Sequence, residues 1–401
     1  MTTALDAQPL RRGPLLLGAL LMAGALAVGL AYGPRLGLLM VVGALLGMTL
    51  YHAAFGFTSA WRVFIKERRG RGLRAQMVML AIAVLLFFPA LGAGTLFGTE
   101  VRGNFAPLGV SVVFGAFLFG IGMQLGGGCA SGTLFTAGGG NARMMITLIF
   151  FIVGSVIGSA HFSWWMALPA FEPVSLVSVF GAGGGIAVSL ALFIAIAAFT
   201  VMMEKRRHGQ LEKTPRFNLR DSRWLTGPWP LLMGAVALAL LNFATLALAG
   251  RPWGITSAFA LWGAKVYELI GGDVSQWGYW QAPGNAAALQ ASVWSDITTV
   301  MNVGIILGAM AAATLAGRFA PSLRIPLGSV MAAVIGGLML GYGARLAFGC
   351  NIGAYFSGIA SGSLHGWLWL IAGFAGNVFG VRLRPLFFGD PKRKGQPIEL
   401  S

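Results

Sequence analysis

Charge is the first thing this sequence lacks. Only 10% of the 401 residues are Asp, Glu, Lys or Arg, where a soluble domain carries about 25%. A chain of this length would suggest two or three soluble domains, but there is too little polar surface to cover them. Soluble enzymes and disordered chains are therefore excluded. Acidic residues are the scarcest, 12 against 28 basic ones, so no acidic cluster is available for a metal. Cysteine is almost absent, with Cys129 and Cys350 alone, which removes a disulfide framework. Two cysteines so far apart, with no His or Asp beside them, make no zinc site. No Walker motif points to ATP, and no cofactor is expected. Nor is there a membrane-embedded carboxylate of the kind that binds Na⁺ or relays protons; Asp296, near a span start, is the marginal case.

What is present is apolar: 57% of the residues, with 60 glycines that follow no collagen period. A helix needs about 20 apolar residues to cross a bilayer. Ten candidate spans can be drawn, at 14–32, 36–52, 75–97, 108–125, 144–160, 181–203, 229–249, 294–316, 326–347 and 364–381. Arg11 and Arg12 precede the first, which is of span length and lacks a convincing cleavage site, so it reads as a span. The net charge of +16 would suggest nucleic acid in a soluble protein. In a membrane protein it reads as orientation, and no nucleic-acid partner is expected. With the N-terminus inside, only Arg35, Arg102, Arg251, Lys265 and Arg345 fall outside, leaving 23 of the 28 basic residues on the cytoplasmic side. Both termini are expected to be cytoplasmic.

The chain also repeats itself. Residues 115–135 read GAFLFGIGMQLGGGCASGTLF and residues 336–356 read GGLMLGYGARLAFGCNIGAYF, at a constant offset of 221. The offset pairs Gly120 with Gly341, Gly122 with Gly343, Leu125 with Leu346, Gly128 with Gly349 and Cys129 with Cys350. A second echo sets Gly56-Phe-Thr-Ser-Ala-Trp61 against Gly254-Ile-Thr-Ser-Ala-Phe259, with the outer loop at 266–293 as an insertion in the second copy. Ten spans then divide into five and five. An odd number forces the second copy to enter from the opposite face, the inverted-repeat architecture of secondary transporters. The expected fold is an all-α polytopic membrane protein, with residues 1–180 as the first repeat and 181–401 as the second, within one integrated membrane domain.

Four segments, 54–61, 126–141, 252–264 and 348–363, fit neither span nor aqueous loop. They are rich in Gly, Ser, Thr and Ala and poor in charge. Irregular backbone at membrane depth is tolerated where it lines a cavity or is buried in protein, so they read as four re-entrant loops with half-helices converging near the midplane. Tight interhelical turns with small residues are the alternative. Cys129 and Cys350 are the sharpest pair. A lone buried cysteine is a small hydrophobe, but two at equivalent places, each before an expected half-helix N-terminus, suit a soft sulfur-bearing anion. Gly128 and Gly349 precede them. Ser131, Asn351, Thr58, Ser59, Thr256 and Ser257 would supply neutral donors, some serving only as helix caps. Arg345, a guanidinium within a span end, would attract anions or else snorkel to the interface; its repeat mate is Gln124. His52 and His365 near the loops read first as packed residues. Trp164, Trp165, Trp224, Trp229, Trp277 and Trp280 read as interfacial belts.

The doubled G-x-G-x-x-L-x-x-G-C and G-[FI]-T-S-A-[WF] patterns resemble the YeeE/YedE family of bacterial inner-membrane sulfur-transport proteins, over about residues 30–385. Gly341-Tyr-Gly-Ala-Arg-Leu-Ala-Phe-Gly-Cys350-Asn, followed by Ser363-Leu-His-Gly-Trp367, is similar to the YedE branch. The resemblance implies uptake of thiosulfate or a related anion along a central path, with Cys129 and Cys350 at the family's two central thiols. It also implies a possible cytoplasmic TusA-like sulfurtransferase partner. A third family cysteine, in a pattern like F-C-F-T-S-A-F-R, falls at Gly56 in Phe55-Gly56-Phe57-Thr58-Ser59-Ala60-Trp61-Arg62. The YedE branch is associated with selenium metabolism, so by the resemblance a selenium compound or another sulfur compound stays open as cargo. So does a second class of function, in which the thiols accept sulfane sulfur as a persulfide and the substrate is cleaved.

Overall fold

A computed structural model describes residues 12–213, 224–319, 321 and 324–389. Arg11, Arg216, Arg220, Arg223, Lys392, Arg393 and Lys394, counted above as cytoplasmic, lie outside the described residues. The order is α1 (Arg12–Tyr32), α2 (Pro34–His52), α3 (Phe57–Glu67), α4 (Arg71–Ala93), α5 (Val110–Gly126), α6 (Ala130–Gly138), α7 (Ala142–Ala160), α8 (Phe162–Met166) and α9 (Leu176–His208). Then come α10 (Leu231–Ala249), α11 (Thr256–Leu269), α12 (Gly278–Gln281), α13 (Pro283–Gln290), α14 (Ile297–Leu315), α15 (Leu327–Leu346), a π turn at Asn351–Phe356, α16 (Ser357–Ala360) and α17 (Leu364–Phe388). Ten helical segments among the described residues are long and apolar enough to cross a membrane. The chain is an all-α polytopic membrane protein, and every expected span is present, with α17 running on to Phe388, well past its expected end at 381. At the longest element the difference has a cause: Leu176–His208 is two helices joined at Gly181, whose φ of 70° and ψ of 171° are not helical, so the long helix begins beside the expected start at 181 and overruns at its C-terminal end, glycine taking such a φ without a Cβ penalty.

Pairs of ends that meet define two faces. On one, Gly13 at the start of α1 lies against Thr314 at the end of α14, and Gly328 at the start of α15 against Phe387 at the end of α17. On the other, Tyr32 at the end of α1 bonds Ser292, just before α14, and the backbone of Arg102 bonds Gly250 at the end of α10. Two small antiparallel ladders, Thr95–Leu96 with Thr99–Glu100 and Leu108–Gly109 with Ala170–Phe171, trim this second face. They were not foreseen, since two-residue strands leave no period to read.

Glycine sets how closely the helices approach. In a membrane the lipid is as apolar as the protein, so association depends on small residues that let backbones touch. A Cβ at Gly120 would stand 2.2 Å from the Gly373 carbonyl oxygen, and one at Gly376 2.0 Å from that of Phe117. Between α15 and α7 the same pattern recurs: Gly341 faces the Phe151 oxygen at 2.1 Å and Gly154 that of Leu338 at 2.3 Å. Residues 117 and 120 become 338 and 341 on adding 221, and 151 and 154 become 373 and 376 on adding 222. The offset is still 221 at Phe135 and Phe356, so the extra residue falls after the π turn, before α17 reaches Gly373. Likewise α5 crosses α15 through Gly115 against Gly343 and Gly122 against Gly336, two contacts that exchange under the offset. At coarser scale α2 packs on α14 and α4 on α10, while α1 packs on α14 and α9 on α4.

The 266–293 insertion begins in the last turn of α11 and then forms α12, packed on α7 and α8, and α13, packed on α11. It carries a small core of its own, in which Trp280 is 3% exposed beside Tyr279, Leu261 and Ala264. Trp280 is thus a core residue and not a belt residue, as is the 9%-exposed Trp165, stacked on Phe114. Trp164, at 62%, is exposed as a belt residue would be.

Candidate functional site

Each cysteine sits where a long helix stops and a short one starts. α5 ends at Gly127, whose φ of +94° makes it a left-handed C-cap, the position where glycine carries no Cβ penalty. Cys129 then occupies the N-cap of α6, and its Sγ accepts from the Gly132 amide at 3.5 Å. After α15, Phe348 takes φ 56° and Gly349 φ 146°. A Cβ at Gly349 would lie 2.7 Å from the Ala354 nitrogen, so only glycine fits that place. Phe348 has no such excuse. A left-handed non-glycine residue costs on the order of 1–2 kcal/mol, a strain of the sort that collects at functional sites. Cys350 caps the π turn, its Sγ accepting from the Ile352 amide at 3.4 Å.

Both thiols are free and buried, at 1% and 0% exposure. Both belong to one continuous core cluster. The elements that carry them meet, since α6 touches the π turn directly. The partners of Cys129 are neutral: the Ser131 Oγ at 3.3 Å and the Gly132 amide. Next to Cys350, Asn351 is fully buried, yet neither its Oδ1 nor its Nδ2 has a partner among the described residues. Leaving a buried polar group unpaired costs roughly 1–3 kcal/mol, and this amide leaves both a donor and an acceptor unused. The outer side of the turn is held by the loop before α5, where the Asn104 Nδ2 donates to the Gly353 carbonyl at 2.6 Å and the Asn104 amide to the Ser361 Oγ at 2.9 Å.

The other expected residues divide into those with free groups and those already engaged. Thr58, 3% exposed, has an unpartnered Oγ1. Ser59 instead caps its own turn, its Oγ donating to the Gly56 carbonyl at 3.1 Å. The Ser257 Oγ donates to the Thr298 Oγ1 at 3.0 Å. The Thr256 carbonyl accepts from Arg345 Nη2 at 3.0 Å. Arg345 neither snorkels nor stands free. It is 6% exposed, its Nη1 bonds the Tyr279 hydroxyl, and its guanidinium lies 4.6 Å from the Tyr279 ring centre. Only Nε lacks a partner, so the residue pins the insertion onto α11. Its mate makes the matching bond: the Gln124 Nε2 donates to the Thr58 carbonyl at 3.2 Å. Gly128 lets its loop fold close, a Cβ there standing 3.1 Å from the Gly132 carbonyl carbon. Asp296 caps α14 through the Thr299 amide, and His365 holds the Ser363 hydroxyl.

Several amides inside the spans escaped the sequence reading. The Gln76 Oε1 on α4 takes the Trp61 indole N–H at 3.0 Å and the Tyr355 hydroxyl at 3.5 Å, while its Nε2 stays unpartnered. Asn242, Asn302 and Asn377 are likewise fully buried. The Gln124 Nε2 reaches the Asn377 Oδ1 at 2.6 Å. Together these bonds tie α3, α4, α5, α17 and the π turn into one network around the thiols. The signal that would have found them is a lone amide in an apolar span, since such residues face the bundle interior.

Ten apolar helical segments packed through glycine, with buried thiols and unpaired amides at their broken ends, define a polytopic membrane protein of the transport kind. The family model described as sulphur transport matches residues 52–379, and the chain belongs to that family. The Thiosulfate transporter TsuA of Spirochaeta thermophila is 30% identical over 354 residues, 84% of this chain and 96% of its own length. The Thiosulfate transporter TsuA of Escherichia coli is 26% identical, over 83% and 90% respectively. The Probable transporter YedE of Escherichia coli is 36% identical over 168 residues, 41% of this chain. That match spans only 40% of the YedE length.

Proposed function

We propose that this protein takes up thiosulfate, or a related sulfur-containing anion, across the bacterial inner membrane along a central path bounded by Cys129 and Cys350. In this reading residues 1–180 and 181–401 are inverted repeats and both termini are cytoplasmic. α3, α6, α11 and the π turn with α16 are then the half-helices of four re-entrant loops. The doubled contacts support the inversion: Gly120–Gly373 answers Gly341–Phe151, and Gln124 to Thr58 answers Arg345 to Thr256. The relatives' printed names, Thiosulfate transporter TsuA, support the cargo.

The observation that carries the proposal is the pair of free thiols, each the N-cap of a short helix, buried in one core cluster beside an unpartnered Asn351. A sulfhydryl donates weakly and accepts weakly, which suits the soft terminal sulfur of thiosulfate. The N–H groups of the capped turns suit its oxyanion end. Because both thiols are sealed from solvent, passage requires the loops to part on one side at a time. The persulfide alternative requires a thiolate and a base to make it, whereas the neighbours of Cys129 are a hydroxyl and an amide. Binding without cleavage is the better fit. A cytoplasmic TusA-like sulfurtransferase would then meet the anion after release.

Uptake of radiolabelled thiosulfate into vesicles tests this. Cys129→Ala and Cys350→Ala should each abolish accumulation of the intact ion at normal expression. Normal uptake by both variants would refute the path, and label retained on the protein as persulfide would replace transport with transfer.

A further inference from the structure

Where α15 begins and α17 ends, two arginines share one aromatic ring and no carboxylate answers them. Arg143 is in the first turn of α7 and Arg384 near the end of α17. Both guanidinium groups stand over the Phe388 ring, 5.0 and 4.5 Å from its centre. Part of each fork is spent on the end of α5. The Arg143 Nη2 donates to the Leu125 carbonyl at 2.6 Å, and the Arg384 Nη1 to the Gln124 carbonyl at 2.5 Å. The Arg143 Nε donates to the Ser329 carbonyl at 3.2 Å, in the first turn of α15. Neither arginine has an ion-pair partner among the described residues, whereas Arg69, Arg71 and Arg74 around the start of α4 are answered by Glu204 and Glu212. Arg382 adds a third cation, exposed and 5.9 Å from the centre of the Phe379 ring. Like charges gathered in a partly desolvated place repel strongly, so the junction lacks a counter-anion. Its surroundings are apolar and face outward. Gly328 meets Phe387 here, and the residues beside that contact, Leu327 and Leu386, are 75% and 77% exposed. From them exposed side chains continue at helical spacing, through Met331 and Ile335 on α15 and through Leu383 and Phe379 on α17. On spanning helices such stripes meet acyl chains.

We propose that this junction binds an anionic phospholipid, its phosphate held by Arg143, Arg384 and Arg382 and its acyl chains lying along the α15 and α17 stripes. Arginine forks match phosphate geometry. A zwitterionic lipid brings its own cation and leaves the arginines uncompensated, and a small soluble anion leaves the stripes unused; an anionic lipid answers both. With the orientation proposed above, the site faces the cytoplasmic leaflet, where basic pockets between helices take up anionic headgroups. The bound lipid also bears on the path. The Gln124 and Leu125 carbonyls held by these arginines lie just before Gly127, the cap from which the chain turns into Cys129, so a phosphate that fixes the arginines steadies the end of α5.

Purified full-length protein, delipidated in uncharged detergent, is titrated with phosphatidylglycerol or with phosphatidylcholine of the same chains. Native mass spectrometry reads binding and thermal unfolding reads the bracing. Phosphatidylglycerol should bind and raise Tm; phosphatidylcholine should do neither. Arg382→Gln, on an exposed residue that holds no backbone carbonyl, should weaken phosphatidylglycerol binding about fivefold. Arg384→Gln should weaken it by a similar factor. Because Arg384 also holds the end of α5, Leu386→Asp keeps the test independent of folding: it leaves every arginine bond in place and sets a like charge beside the phosphate, and it too should weaken binding. Equal binding of the two lipids by the wild-type protein, or undiminished phosphatidylglycerol binding in both Arg382→Gln and Leu386→Asp, would overturn the proposal. Displacement of phosphatidylglycerol by thiosulfate or inorganic phosphate at constant ionic strength would assign the arginines to a soluble anion and overturn it too. No step of this test uses transport, so its failure leaves thiosulfate uptake standing, and a protein that carries no thiosulfate still gives the lipid result.

Discussion

Removing the Asn351 side chain should leave the ligand-free protein as stable as before, or more so. A buried amide in an ordinary core is hydrogen-bonded, and truncating it strands its partners at a cost of about 1–3 kcal/mol. Asn351 strands none, because neither its Oδ1 nor its Nδ2 is paired. Its own desolvation, of that same order, is carried by the folded state. Asn351→Ala removes that burden and leaves a small cavity, two effects that offset each other. The ligand-bound protein should behave in the opposite way. At thiosulfate about 100 times its dissociation constant, a site on the folded state contributes roughly 2.7 kcal/mol. The variant should lose most of this if the amide donates to the ion. Thermal unfolding of purified protein in detergent, with and without thiosulfate, reads both terms. The expected result is an unchanged or raised Tm without the ion and a much reduced upward shift with it. A lowered Tm without the ion together with a full shift on adding it would refute the reasoning, since Asn351 would then be a paired core residue remote from the path.

Two further outcomes follow from the packing. Gly120→Leu and Gly341→Leu should both fail to accumulate as folded protein, by similar amounts, because each places a side chain about 2 Å from a facing carbonyl oxygen; size-exclusion profiles that differ sharply between the two would break the equivalence of the halves. Glu204→Ala should destabilise the protein by about 1–3 kcal/mol per stranded donor, measured by unfolding, because its fully buried carboxylate accepts from the Gly70 amide at 3.0 Å, the Glu212 amide at 2.8 Å and Arg74 at 2.8 Å.

The spans were legible because a bilayer imposes one length and one composition on them, and the ends of α2, α7 and α10 fall within two residues of expectation. The short helices were legible for a different reason. Cys129 and Cys350 share a pattern of flanking glycines, and the structure shows what each glycine does: Gly127 ends a helix at φ +94° and Gly349 leaves no room for a Cβ. Roles that depend on a distant partner were not legible. Nothing in the local sequence says that Arg345 would be taken up by Tyr279, 66 residues earlier in the chain and in an insertion. Gln76 was passed over because one amide in a long apolar run carries no period, and its importance comes from the Trp61 and Tyr355 groups that fix its oxygen.

The doubled architecture also shows where the two halves are free to differ. Gln124 and Arg345 occupy matching places and bind matching carbonyls, those of Thr58 and Thr256, so the bond is conserved while the charge is not. The cation stands on the side expected to face outward, and the neutral amide on the side expected to face inward. For a dianion this gradient favours arrival over departure on one side only, yet binding groups alone cannot move an ion uphill. An inward dianion works against an inside-negative potential at about 2.3 kcal/mol per charge per 100 mV. Hydrogen bonding of the anion to the thiols, as proposed, would lower the barrier to passage without changing that difference. On the proposed reading, net uptake needs a driving force beyond these binding groups, and a path whose thiols bind weakly would let the anion leave once it has crossed.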